Sequence, residues 1–339
     1  MQRSARQEGR LVNRQSISFY LRVLISVSLI VFLLFWVRAT NLITIISSIK
    51  IYYLPLFFVL SFLDRSLMAY KWGLLLKAKG MNFSFLKILK VYYIGTFLGS
   101  FLPSTIGGDI IKISNLNRDL KNLRDITSSV IVERLLGFFS LIIFAIPCML
   151  ILGKMVSIDM GGIFLTILGV SLILLILFFL SFNRSLITLM ERYLYFLQGI
   201  RLVEKARQFY VSYLEYITHK RTLAVFCILS FIEVLLPIFA IFVVALALNI
   251  QISLVYFLLF IPFILVLSRV PISLSGLGIQ EGLFIYFFSF VGVTPANAFS
   301  LGLVANLLNI IFLSPGGIFF LIDLYYSPRK ELQLERAIT

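Results

Sequence analysis

From Thr222 to Leu248 the chain reads TLAVFCILSFIEVLLPIFAIFVVALAL, 27 residues with Glu233 as the one charge. As a helix at 1.5 Å per residue this run is ~40 Å long, more than the ~30 Å hydrocarbon core of a bilayer. Comparable runs occur at Phe19–Val37, Ile51–Lys71, Ser128–Leu152, Gly162–Phe182 and Ala298–Leu324. In lipid, backbone N–H and C=O groups must be satisfied internally, and for a single long apolar segment the helix does this. The expected fold class is an all-α polytopic membrane protein. Composition agrees, with 60% of residues hydrophobic and 13% charged, where soluble domains are roughly half apolar and a quarter charged.

Two further apolar regions, Phe85–Asp109 and Leu254–Val291, run into Pro/Gly-rich breaks. Charge bias orients them. Lys77, Lys79, Lys87 and Lys90 precede the first break, and Lys112, Arg118, Lys121 and Arg124 follow it. Excess Lys and Arg mark cytoplasmic loops, so this segment is expected to enter and return on the cytoplasmic side. The loop 183–221, with seven Lys/Arg, and the tail SPRKELQLERAIT read the same way. The region between them is then expected to enter and return from outside. The expectation is about six full transmembrane helices plus two oppositely oriented re-entrant hairpins, near 85–119 and 254–291, in an inverted-repeat architecture. The competing arrangement makes every apolar run a span and gives eight or nine.

The stretch MQRSARQEGRLVNRQ carries four arginines ahead of the first run. VRATNL offers no small-residue cleavage site, so that run reads as a retained span and not a signal peptide. The expected organisation is a basic cytoplasmic N-terminus at 1–18, one transmembrane domain at 19–324 and a basic cytoplasmic tail at 325–339. The expected location is the cytoplasmic cell membrane, with both termini inside.

Several function classes fall away. The net charge of +15 is spread over separate loops, which disfavours nucleic acid and suits a surface meeting anionic lipid. Cys148 and Cys227 lie in apolar runs, and His219 is the one histidine, too few ligands for an ordinary zinc site. No P-loop, dinucleotide-binding, HExxH or GxSxG motif occurs. No cofactor, metal or catalytic residue is expected.

The breaks carry the chemistry. LPSTIGGDI contains Pro103, Gly107, Gly108 and Asp109, and VPISLSGLGIQE contains Pro271, Gly276, Gly278 and Glu281. Each runs proline, hydroxyl residues, glycines and a carboxylate. Broken segments at corresponding positions of two halves point to a transporter's binding site. A new helix is expected near Ile279, its free N–H groups forming an anion-accepting end. Arg269 flanks that end and costs at least ~2.5–3.5 kcal/mol if unpaired at the centre of a bilayer; Glu281 or a lipid phosphate is its expected partner. Glu133 and Arg134 fall inside a span and point to different sides, so each needs a partner elsewhere. Glu233 reads as a proton or ion site or as a structural acid. Asp64, Arg65, Lys71 and Trp72 read as interface anchors, Asn306 and Asn309 as helix–helix glue, and SPGG at 314–317 as a kink.

These residues resemble the flippase-like membrane-domain family, which includes the transmembrane region of lysylphosphatidylglycerol synthase, the multiple peptide resistance factor. The resemblance rests on LPSTIGGDIIKISNL, on VIVERLLGFF, and on PISLSGLGIQEGLF with the closing span through SPGG. It implies lipid translocation between leaflets. The sequence ends 15 residues after its last span, so aminoacyl transfer is not expected.

Residues and resemblance together give an expected lipid translocase with a polar cavity between the hairpins. Arg134, Arg269, Lys112 and the hairpin N–H groups at Gly107, Gly108, Gly276 and Gly278 would meet phosphate. Ser104, Thr105, Ser273, Ser275 and Gln280 would bond the rest of a headgroup, while Asp109, Glu133 and Glu281 balance charge. The expected partners are membrane lipids: an anionic or aminoacylated phospholipid, or a polyprenyl-phosphate-linked lipid. A homo-oligomer and a separate synthase partner stay open. So do two other classes, a membrane-embedded headgroup-modifying enzyme and a non-transporting partner of a synthase or glycosyltransferase.

Overall fold

The computed structural model describes residues 47–102, 105–120, 122–155, 201–268 and 276–338, with isolated positions at 24, 27–34, 45 and 169. Most of the expected spans Phe19–Val37 and Gly162–Phe182 lies outside the described residues. The helices are α1 (Leu54–Ala78), α2 (Phe85–Phe101), α3 (Thr105–Leu120), α4 (Leu123–Met155), α5 (Arg201–Glu215), α6 (Lys220–Ala247), α7 (Leu254–Leu267), α8 (Ile279–Ser289) and α9 (Pro295–Ile338). No strand occurs among the described residues. Among the described residues, four stretches are long and apolar enough to cross a membrane: Ile51–Ala78, Leu123–Cys148, Lys220–Ala247 and Pro295–Tyr325. The chain is an all-α, multi-pass membrane protein.

One boundary differs from expectation. α1 does not stop at Lys71 but continues to Ala78, because Lys71 and Trp72 find partners inside the bundle (below). The last candidate span, Pro295–Tyr325, agrees with the expected Ala298–Leu324, and its helix runs on to Ile338.

Helices α2 and α3 form a tight antiparallel hairpin, and glycines set its spacing. A Cβ at Gly108 would lie 2.5 Å from the Gly95 carbonyl oxygen, and one at Gly99 would lie 3.0 Å from the Gly108 Cα. Helices α7 and α8 form a second, shorter pair. Ser253 caps α7 by accepting from the Val255 N–H, and Gly278 starts α8 at φ +83°, a conformation that favours glycine.

The hairpins open to opposite ends. At one end the Lys50 N–H donates to the Ala247 carbonyl at 2.8 Å, and the Lys50 Nζ donates to Asn249 at 2.8 Å. This joins the start of α1 to the end of α6, where α7 begins. At the other end Lys79 donates to the Ser212 carbonyl at 2.7 Å and pairs with Glu215. Arg124 pairs with the same Glu215 at 3.1 Å. Burial and the Asp125 carboxylate push the Tyr216 hydroxyl well above its usual range, so it stays neutral and donates to the Leu75 carbonyl. Lys90 of α2 meets Asp323 of α9 at 2.5 Å, also at this lysine-bearing end.

The chain thus runs long, short, short, long twice, in opposite directions: α1–α4 and α6–α9. The packing repeats as well. α1 lies on α6; α2 lies on α9 as α7 lies on α4; α3 lies on α4 as α8 lies on α9.

Candidate functional site

The first polar centre sits where α1, α2, α3 and α4 meet. The close approach at Gly108 places Asp109 and Lys112 of α3 against α4. Asp109 pairs with Arg134, and Lys112 bridges Asp109 at 3.3 Å and Glu133 at 3.0 Å. Tyr92 donates to the other Glu133 oxygen at 2.7 Å. The Lys112 ammonium lies over the rings of Tyr92 and Trp72, 4.3 and 5.0 Å from their centroids. Two acids and two bases leave the group neutral, as burial of charge in lipid demands. Adjacent residues Glu133 and Arg134 do find separate partners, both on α3. Gly107 and Gly108 have a packing role that the sequence did not disclose: a Cβ at Gly107 would sit 2.5 Å from Leu102.

Lys71 and Trp72 are not interface anchors. Lys71 is 2% exposed and Trp72 fully buried. Lys71 pairs with Glu233 of α6, donates to Ser230 at 2.7 Å and lies over the Phe226 ring. Trp72 donates to Ser129 at 3.0 Å. The acid at 233 therefore belongs to an ion pair between α1 and α6.

The second centre gathers residues of α1, α6, α8 and α9. Glu281, fully buried, reaches back to the Gly278 N–H at 2.7 Å and accepts from Asn306 at 2.7 Å. The start of α8 is thus capped by its own carboxylate and is not an open anion site at Gly278. Asn306 is more than helix glue, since it holds this acid. Beside it a cavity of about 180 Å³ is lined by Ser61, Asp64, Arg65, Gln280, Asn306 and Asn309 together with apolar residues. Asp64 and Arg65 meet at 3.2 Å, and Asp64 is buried. These two residues stand at the middle of Ile51–Ala78 and line a cavity, where anchors at a membrane interface had been expected. Removing the cap with Glu281→Ala should destabilise the protein by ~1–3 kcal/mol through the unpaired Asn306 and Gly278 donors. Thermal unfolding in detergent reads this out, with Glu281→Gln milder.

The two centres correspond. In the first, 25 residues separate Asp109 from Arg134; in the second, 25 separate Glu281 from Asn306. In each, an acid on the second hairpin helix reaches the long helix that follows. Among the described residues, the polar groups expected to line one cavity between the hairpins gather in two clusters, one around Lys112 and Glu133 and one around Glu281 and Asn306. α1 contributes to both, with Trp72 at the first and Arg65, seven residues earlier on the same helix face, at the second. Ser104, Arg269, Ser273 and Ser275 lie outside the described residues, as does the side chain of Thr105. Sequence reasoning passed over Tyr92, Asp64, Arg65 and Asn306 as site residues. Spacing could have found Asn306, which stands where Arg134 stands in the first half.

Comparison with known proteins gives a consistent picture. The family described as "Lysylphosphatidylglycerol synthase TM region" matches residues 21–317. A UPF0104 membrane protein from Pyrococcus horikoshii is 24% identical over 316 residues, covering 86% of this chain and 92% of that protein.

Proposed function

Because this chain belongs to the lysylphosphatidylglycerol synthase transmembrane-region family, we propose that it moves the headgroup of a phosphate-bearing lipid between the two leaflets of a cell membrane. The single observation that carries this reading is the pair of hairpins opening to opposite ends, each bringing an acid to mid-bundle beside cations or carboxamides. Helices of 14 and 11 residues rise only ~21 and ~17 Å, too short for a ~30 Å core. In a bilayer they enter and turn back, and backbone broken at that depth needs a watery or protein-lined setting. The cavity beside Asp64, Arg65 and Gln280 suits such a setting.

In this reading Arg65 and Arg134 take the phosphate in turn, and Asp64 and Asp109 hold those cations in place between passages. Gln280, Asn306 and Asn309 bond the remainder of the headgroup, while the acyl chains stay in lipid. The lysine-bearing end faces the cytoplasm.

The test is leaflet exchange of a fluorescent phospholipid in reconstituted vesicles. The protein should accelerate exchange, and Arg65→Gln and Arg134→Gln should each slow it at least tenfold at a temperature where thermal unfolding shows the variant still folded. Each variant is less stable for the cation that Asp64 or Asp109 loses. No acceleration by the parent protein, or full exchange in both variants, would overturn the proposal. A chemically altered lipid with unchanged exchange would favour a headgroup-modifying enzyme.

A further inference from the structure

An apolar groove of about 480 Å³ runs between α1, α2 and α9 and plays no part in either polar centre. Its walls include Phe58, Leu89, Tyr93, Ile311 and Phe312, and Lys90 stands in its lining as the one charge. The groove is open on the flank of the bundle, where Leu86 and Ile311 are exposed. Those helices are membrane-crossing or pack against ones that are, so what reaches this flank is lipid.

The groove has a polar end and an apolar end. Lys90 lies in the second turn of α2, at the lysine-bearing end. It donates to Asp323 at 2.5 Å with about a third of each side chain exposed. An ammonium carries three donors, so further N–H groups remain for an anion, and a partly exposed site spares much of the desolvation cost. Eleven residues along α9 from Asp323, ~17 Å at helical rise, the rings of Phe58 and Phe312 stand 6.4 Å apart and close the groove. Behind that closure lies the polar cavity: Phe57 and Ser61 line the cavity, and their neighbours Phe58 and Phe62 line the groove. In the other half the corresponding seam, α4 against α6 and α7, buries Leu141, Ala145 and Cys148 in its core.

We infer that this groove is a binding site for an anionic phospholipid of the leaflet at the lysine-bearing end, with its phosphate at Lys90 and one acyl chain extending to the Phe58–Phe312 closure. The size matches one chain, the cation matches a phosphate, and the depth matches a single leaflet. The lipid held there lies one helix away from the polar cavity. Its role as the loading position for translocation rests on the function proposed above, whereas its existence as a site does not.

Tryptophan quenching by brominated acyl chains tests the site directly. Ile311→Trp reports on the groove, and Ile228→Trp, on the exposed face of α6, is the reference, with the parent signal of Trp36 and Trp72 subtracted. In vesicles of brominated phosphatidylserine or brominated phosphatidylcholine, Ile311→Trp should favour the serine lipid by about fivefold, the effect expected of one lysine at an anionic surface. Ile228→Trp should favour neither. Lys90→Gln should remove the preference, and Asp323→Asn, which frees Lys90, should increase it.

Equal ratios in the Ile311→Trp and Ile228→Trp proteins would overturn the inference. So would a preference that survives Lys90→Gln. An indole shielded from both lipids in the Ile311→Trp protein would overturn it too, since another protein surface would then cover the groove. Preference without leaflet exchange leaves this site standing and removes the translocation reading; exchange without preference does the reverse.

Discussion

Replacing Lys71 by methionine should destabilise the protein by up to ~3–5 kcal/mol, the cost of leaving the half-buried Glu233 carboxylate without its cation. Lys71 is 2% exposed, pairs with Glu233 across the α1–α6 contact, and lies over the Phe226 ring. Ser230, which Lys71 also touches, carries no charge with which to replace it. The diagnostic comparison is the double variant Lys71→Met/Glu233→Leu. Apolar residues of similar volume replace a buried ion pair at little cost, so the double variant should recover most of the loss. Unfolding in mixed micelles measures both. A double variant as unstable as the single one would show that the pair holds more of the structure than its own charges.

The second large effect concerns two backbones in contact. A Cβ at Gly108 would lie 2.5 Å from the Gly95 carbonyl oxygen, and one at Gly95 would lie 2.9 Å from the Gly108 carbonyl oxygen. Neither atom belongs to a side chain that can rotate away. Gly108→Ala therefore forces α2 and α3 apart, at or above the upper end of the ~1–3 kcal/mol typical of overpacking. Asp109, the next residue, would move with the helix and leave Arg134. Stability and lipid exchange should fall together. Gly137→Ala in α4 is the control: its Cβ meets nothing within 4 Å, and replacing a helical glycine gains up to ~1 kcal/mol in propensity.

The broken helices were legible in the sequence because two signals coincide there. Lysines flank 85–119 on both sides, and Pro103 and Pro271 interrupt runs that would otherwise cross the bilayer. What the glycines do was not legible. A ligand that needs bare backbone and a neighbouring helix that needs the same space select the same residue. Only the position of Gly95, Gly99 and Gly316 opposite their partners separates the two. The SPGG segment shows the same limit. Gly316 and Gly317 abut Tyr93 and Phe97 of α2, and Ser314 donates to the Ile311 carbonyl, which Pro315 leaves without its helical donor.

Charge placement misled for another reason. Lys71 and Trp72 follow an apolar run and are types that favour membrane interfaces. Their partners Ser230, Glu233 and Ser129 are distant in sequence, so nothing local announces them. Asp64 and Arg65 were ambiguous in the same way: the cavity beside them is completed by α8 and α9, more than 200 residues further on. By contrast, Glu133 and Arg134 had to seek partners on other helices whatever the fold, and the structure supplies Lys112 and Asp109.

Two copies laid head to tail give an object that looks much alike from above and from below. If the first copy adopts the posture of the second while the second adopts that of the first, the molecule has in effect been turned over, using no packing that it does not already possess. The energy separating the upright and inverted forms then resides where the copies have diverged, and Arg134 opposite Asn306 is the clearest such position. There the guanidinium pairs with Asp109 and the carboxamide donates to Glu281, so the two halves carry different charge at the same place.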